Sequence, residues 1–151
     1  MTNKIIAIDL DETLINNKIS YYQNIKRDCY KIKRDARKCL YELYDNGFKF
    51  HLITGRYNNY DNLIQVQEIV EHIQNKLLIK FESITFTSGT PKGIYAKELK
   101  CIYIIDDNLQ YLSDCKDNNV VPILLVKNDK KKSKDMISFK NWYEINEFLL
   151  K

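Results

Sequence analysis

Apolar residues run without helical period through Ile5-Ile6-Ala7-Ile8, and two carboxylates, Asp9 and Asp11, follow at once. A run that is β-branched apart from Ala7 predicts a strand over about Lys4 to Asp9, buried on both faces. From Gln23 to Asn46 the apolar positions are Ile25, Cys29, Ile32, Ala36, Cys39, Leu40 and Leu43. Steps of three and four predict one long amphipathic helix there, ended by Asn46-Gly47. Phe48 to Thr54 predicts a second strand, and Tyr57 to Asp61 is turn-rich. Leu63, Val66, Ile69, Val70, Ile73 and Leu77 then mark a second helix. A short strand over Ser83 to Thr87 leads through Ser88-Gly89-Thr90-Pro91 into a short helix from Gly93 to Leu99. Cys101 to Asp106 predicts another apolar strand and Leu109 to Asp117 a short helix. Pro122 to Val126 predicts a fifth strand and Trp142 to Leu150 a terminal helix. Leu14 to Tyr22 reads as a polar loop over the end of the sheet, and Lys127 to Lys134 as a solvated loop.

Alternating strands and helices predict an α/β, three-layer, Rossmann-like fold, with a central parallel five-stranded sheet and helices on both faces. At 151 residues, with no linker and no internal repeat, the expectation is a single domain over 1–151. Apolar residues make up 44%, enough for a core, and no stretch reaches the ~18–20 apolar residues that span a membrane. No secretory signal is read at the N-terminus. Cys29, Cys39, Cys101 and Cys115 are scattered without a CxxC pair, so reduced thiols and a cytoplasmic location are expected. His51 and His72 are too few and too distant for a zinc site.

In such sheets ligands bind beyond the carboxyl ends of the strands, where the strand order reverses. Residues at those ends are Asp9 and Asp11, Thr54-Gly55-Arg56, Lys92, and Asp106-Asp107. An aspartate attacks phosphorus to form an aspartyl-phosphate, and a second carboxyl carries the proton to and from the leaving oxygen. Carboxylates are hard ligands of the kind magnesium takes. Thr54-Gly55 offers a hydroxyl and accessible backbone N–H groups to phosphate oxygens. Lys92 offsets the negative charge that acids and phosphate gather in one place.

On these motifs the sequence resembles the haloacid dehalogenase (HAD)-like phosphohydrolase superfamily. DxDxT is matched by Asp9-Leu10-Asp11-Glu12-Thr13, the Ser/Thr that ends strand two by Thr54, the lysine by Lys92, and the acidic pair by Asp106-Asp107. The resemblance implies a HAD-like fold and a phosphatase acting on phosphate monoesters with Mg2+ as cofactor. It implies Asp9 as nucleophile and metal ligand. Asp11 becomes the general acid/base, with its backbone carbonyl on the metal. It assigns Thr54 and Lys92 to catalysis, Thr54, Gly55, Arg56 and Lys92 to substrate binding, and Asp106 and Asp107 to the metal. Lys97 is a rival for the lysine. Neither inter-motif gap leaves room for a cap domain, so the site is expected to be open to a bulky substrate, such as a nucleotide or nucleic-acid end.

Two other classes stand beside that reading: a phosphorylatable receiver-like signalling module, and a catalytically idle binding protein on the same scaffold. The DxDxT spacing counts against the first. Net charge is only +4, and the basic residues of Gln23 to Asn46 and Lys127 to Lys134 are expected to be solvated faces, with nucleic-acid binding as the sharper alternative. His51 is expected to be a packed or edge residue. Tyr21, Tyr22, Tyr57 and Tyr60 are expected to pack, with substrate stacking as the alternative. Oligomeric state is not read from the sequence.

Overall fold

The computed structural model describes residues 3–16, 31–127 and 135–151. Cys29, Tyr21, Tyr22, the start of the 23–46 segment and Lys130 to Lys134 lie outside the described residues. Strands β1 (Ile5–Ile8), β4 (Lys49–Thr54), β5 (Phe81–Phe86), β6 (Tyr103–Asp106), β7 (Val121–Leu125) and β8 (Ile137–Phe139) form one parallel sheet in the order β5-β4-β1-β6-β7-β8. A two-residue antiparallel pair, β2 (Ile15–Asn16) with β3 (Lys31–Ile32), stands outside it. Helices are α1 (Arg34–Asp45), α2 (Tyr60–Leu77), α3 (Gly93–Glu98) and α4 (Trp142–Leu150), with 3₁₀ turns at Leu109–Leu112 and Lys116–Asn118.

The buried runs of β1 and β6 make the sheet's centre, because side chains of alternating residues enter two separate cores. Ile6 and Ile8 join Phe50, Leu52, Ile105 and Trp142 under α1, α2 and α4. Ala7 joins Ile53, Ile104, Ala96, Leu112 and Leu124 under α3 and the 3₁₀ turns. The chain winds outward from β1 through β4 to β5, then returns to β6 on the other side of β1. The reversal falls between β1 and β6, which places the ends of those strands at the crevice where open sheets bind ligands.

Four expectations need correction. The sheet has six strands rather than five. Ile137–Phe139 is a three-residue edge strand on β7, too short to carry a period of its own. The helix expected from Gln23 begins at Arg34, because Lys31–Ile32 pairs with Ile15–Asn16 and the Lys33 N–H donates to the Leu14 carbonyl at 2.8 Å. The Leu109 to Asp117 helix is two separate 3₁₀ turns. Finally, α2 starts at Tyr60, inside the expected turn, where the Asn59 side chain accepts from the Asn62 N–H. Gly47 does end α1 as expected, with φ +90° in the left-handed region that favours glycine.

Candidate active site

Asp9 follows β1 directly, and its backbone N–H donates to the Ile105 carbonyl at 2.9 Å, which locks the strand end against β6. Asp106 closes β6 itself. Their carboxyl groups meet one side chain, Lys92. Its Nζ donates to Asp9 Oδ1 and Asp106 Oδ2, both at 2.6 Å, and the lysine is wholly buried. Lys97, the rival, is on the exposed side of α3. Lys92 sits immediately before α3, and Asp114 caps that helix through the Gly93 and Ile94 N–H groups at 2.6 and 3.0 Å. The Lys92 N–H donates to the Tyr111 carbonyl, and the Tyr111 ring lies 4.8 Å from Nζ, in cation–π range.

The hydroxyl of Thr13 lies 3.1 Å from Asp9 Oδ2 and 3.3 Å from Asp107 Oδ1. It has one proton, so it donates to one carboxylate at a time. Thr13 is fully buried, and its carbonyl accepts the Trp142 indole N–H at 2.9 Å, which ties α4 to the loop after β1. That loop is tight. Leu10 O accepts from the N–H groups of Thr13, Leu14 and Ile15, and Glu12 stands at φ +62°. A non-glycine residue held there stores strain of about 1–2 kcal/mol, which the surrounding hydrogen bonds sustain.

Asp9, Asp106 and Asp107 each bring a carboxylate oxygen within 4.8 Å of the others. Burial, then the Asp106 charge, push the Asp9 carboxyl well above its ordinary 3.8, against the pull of Lys92. Burial likewise raises Asp106. For Lys92, burial works against the ammonium, but the two carboxylates outweigh it and the net direction is up. One ammonium therefore bridges two of the three clustered acids. The surplus of negative charge, with oxygen donors only, fits a hard divalent cation rather than zinc or copper.

Asp11 stands apart from this cluster. Arg56 grips it as a fork, Nη2 to Oδ1 at 2.7 Å and Nε to Oδ2 at 2.9 Å, and donates through Nη1 to Gln65 Oε1 at 2.6 Å. The Asp11 carboxyl is thus not among the gathered acids, and both of its oxygens are engaged by Arg56. Thr54 is fully buried at the end of β4, its Oγ1 accepting from the Arg56 N–H at 3.3 Å. Gly55 is required by space, since a Cβ there would stand 2.6 Å from the Tyr111 ring.

All eight residues expected from the sequence gather at this end of the sheet. Thr13, Tyr111 and Asp114 were given no role by sequence reasoning. The signal for Thr13 was its place in DxDxT, whereas Tyr111 and Asp114 act through contacts over 19 or more residues and carried none. His51, as expected, is a packed residue, bonding Ser83 Oγ at 2.6 Å across β4 and β5. Tyr57 and Tyr60 do not pack. They are 66% and 74% exposed, which overturns the expectation of ordinary packing.

No family model matches the chain, and no curated protein matches it in sequence. Solved structures do match in fold. A HAD-superfamily hydrolase from Ehrlichia chaffeensis superposes with TM-score 0.67 at 15% identity, over 98% of this chain and 96% of that one. D,D-heptose 1,7-bisphosphate phosphatase from B. bronchiseptica, complexed with magnesium and phosphate, gives 0.71 at 11% identity, over 97% and 98%. A 3-deoxy-D-manno-octulosonate 8-phosphate phosphatase from Moraxella catarrhalis gives 0.62 at 19% identity, over 98% and 86%. The chain has the HAD-like fold. Among the described residues, no helix is long and apolar enough to cross a membrane.

Proposed function

We propose that this chain is a magnesium-dependent phosphatase that hydrolyses phosphate monoesters through an aspartyl-phosphate on Asp9. The observation that carries the proposal is the buried Asp9–Lys92–Asp106 bridge, with Asp107 and Thr13 beside it and Asp11 two residues away on a different partner. Two acids in one motif are held in unlike environments, which suits unlike tasks. Asp9 attacks phosphorus as the bond to the leaving oxygen breaks, and that oxygen takes the proton from Asp11. Water then attacks the aspartyl-phosphate, Asp11 receives its proton, and phosphate leaves with Asp9 restored.

Lys92 and Thr54 hold phosphoryl oxygens, with the Gly55 N–H and Arg56 at the mouth. Asp9, Asp106 and Asp107 would hold the cation, with the Asp11 carbonyl as a further ligand. When bound, the magnesium ion offsets their charge and polarises the phosphoryl group. Burial favours protonated Asp9, whereas attack needs the carboxylate, so Lys92 serves to keep the nucleophile ionised. Similar solved structures carry magnesium and phosphate, which supports the choice of metal.

The chain works as one domain over 1–151, on a phosphorylated small molecule, nucleotide or nucleic-acid end. The exposed rings of Tyr57 and Tyr60, which follow Arg56 closely in the chain, support a substrate bulky enough to stack. The free, buried thiols of Cys39, Cys101 and Cys115 suit a reducing cytoplasmic setting. The test is phosphate release from an aryl phosphate with and without magnesium, by wild type and by Asp9→Asn. Turnover that needs both the metal and Asp9 is expected. Equal turnover by the two proteins ends the proposal.

A further inference from the structure

A second cleft, of about 580 Å³, opens beside the catalytic crevice. Four cations line it: Lys33 and Arg34 at the start of α1, Lys127 just after β7, and Lys140 just before α4. Among the described residues, the acids of the lining are Glu12 and Asp35. Asp35 is engaged, its Oδ2 accepting the Trp142 N–H at 2.8 Å. None of the four cations has an ion-pair partner among the described residues. An excess of like charge around a concavity raises the local concentration of anions.

The position is as informative as the charge. Glu12 is the neighbour of Asp11 in the catalytic loop. Leu124 pairs in register with Asp106, and the next two residues of the chain, Leu125 and Val126, line the cleft. The cleft therefore borders β7, the strand next to the one that ends in Asp106, and neighbouring strands stand about 4.8 Å apart. Its walls are fixed to the catalytic loop through α4. The Trp142 backbone N–H holds Asp35, and the Trp142 indole N–H holds the Thr13 carbonyl.

We infer that this cleft is a second anion subsite, which takes another phosphate group of the same substrate while Asp9 attacks the first. The inference rests on the phosphatase reading and narrows its substrate class to molecules with at least two phosphate groups. The shared chemistry is a phosphate near the scissile one, either free, as in a bisphosphate, or the diester of a short strand.

The test compares wild type with Lys127→Glu/Lys140→Glu, two exposed residues outside the catalytic crevice. Substrates are adenosine 5′-monophosphate, adenosine 3′,5′-bisphosphate and a 5′-phosphorylated diadenosine. The variant is expected to lose about tenfold in kcat/KM on the second or third, with less than about twofold change on the monophosphate and an unchanged melting temperature. Loss on the bisphosphate alone identifies a free phosphate as the occupant, and loss on the dinucleotide alone a diester. Equal effects on all three substrates, or none, overturn the subsite. Calorimetric binding of adenosine 3′,5′-bisphosphate in an Asp9→Asn background keeps the two readings apart. If no substrate is turned over but this binding still weakens about tenfold with the double substitution, the phosphatase reading falls and the subsite stands. Binding that is equal with and without the double substitution overturns it.

Discussion

Replacing Lys92 by methionine removes one charge and little volume, and it should be among the most damaging single changes in this protein. Each 2.6 Å contact from Nζ to Asp9 and Asp106 represents roughly 6 kcal/mol of Coulomb attraction at an effective dielectric of about 20. Most of that is offset by the desolvation of three buried ions, so the two contacts do not add up to a stability figure. What remains measurable is the cost of leaving two acids buried without their counter-charge, about 3–5 kcal/mol. Urea unfolding at neutral pH without metal is the assay. A protein of this size has a slope of about 1–3 kcal/mol per molar, so the midpoint should fall by more than about 1 M.

The pH dependence follows from the direction of the shifts. Asp9 and Asp106 are raised, so their folded forms hold protons that the unfolded chain has already released. Stability from that protonation is full below about 3.8 and is lost as pH rises through the folded value. Without the ammonium the folded values climb further. The deficit of Lys92→Met should therefore shrink as pH is lowered from 7 toward about 4, and added magnesium should recover part of it at neutral pH. A variant with an unchanged midpoint, or a deficit that grows on acidification, would refute the reasoning.

Gly55→Ala should force the Tyr111 ring away from Lys92 and cost about 1–3 kcal/mol, and adding Tyr111→Ala should return part of it, read as a non-additive pair in urea unfolding. Trp142→Phe leaves the buried Thr13 carbonyl unpaired, so a loss of about 1–3 kcal/mol is expected, together with reduced phosphatase turnover because Thr13 positions Asp9 and Asp107. His51 is lowered from 6.5, mainly by burial and against the pull of Glu82. Its contribution to stability is therefore present above about 6.5 and lost as pH falls through the folded value, which an imidazole NMR titration against a model peptide checks. Cys39 is pushed up to about 11, and Cys101 and Cys115 to about 12, chiefly by burial. Iodoacetamide at about pH 8 should leave those three unmodified in the folded protein and label them in urea, as peptide mass spectrometry would read.

The sequence by itself determined the alternation of elements and the set of residues at the strand ends. A buried parallel strand must be apolar on both faces, so Ile5 to Ile8 and Ile104-Ile105 declare themselves. A carboxylate directly after such a run stands out because it is costly there without a partner. The terminal helix was legible to the residue, Trp142–Leu150, and in the structure the Asn141 side chain that starts it accepts from the nearby Glu144 N–H, a local interaction. What the sequence did not hold were decisions made between distant segments. Ile137–Phe139 is a strand only because β7 offers an unpaired edge, and Lys31–Ile32 leaves the helical pattern because Ile15–Asn16 is there to pair with it. The choice of Lys92 over Lys97 depends on which lysine the α3 cap directs toward the acids. That Asp11 faces Arg56 rather than the other carboxylates, and that four separated cations line one cleft, are likewise results of packing. Charge and hydrogen-bond geometry act through space, so only the folded chain fixes which partners they find.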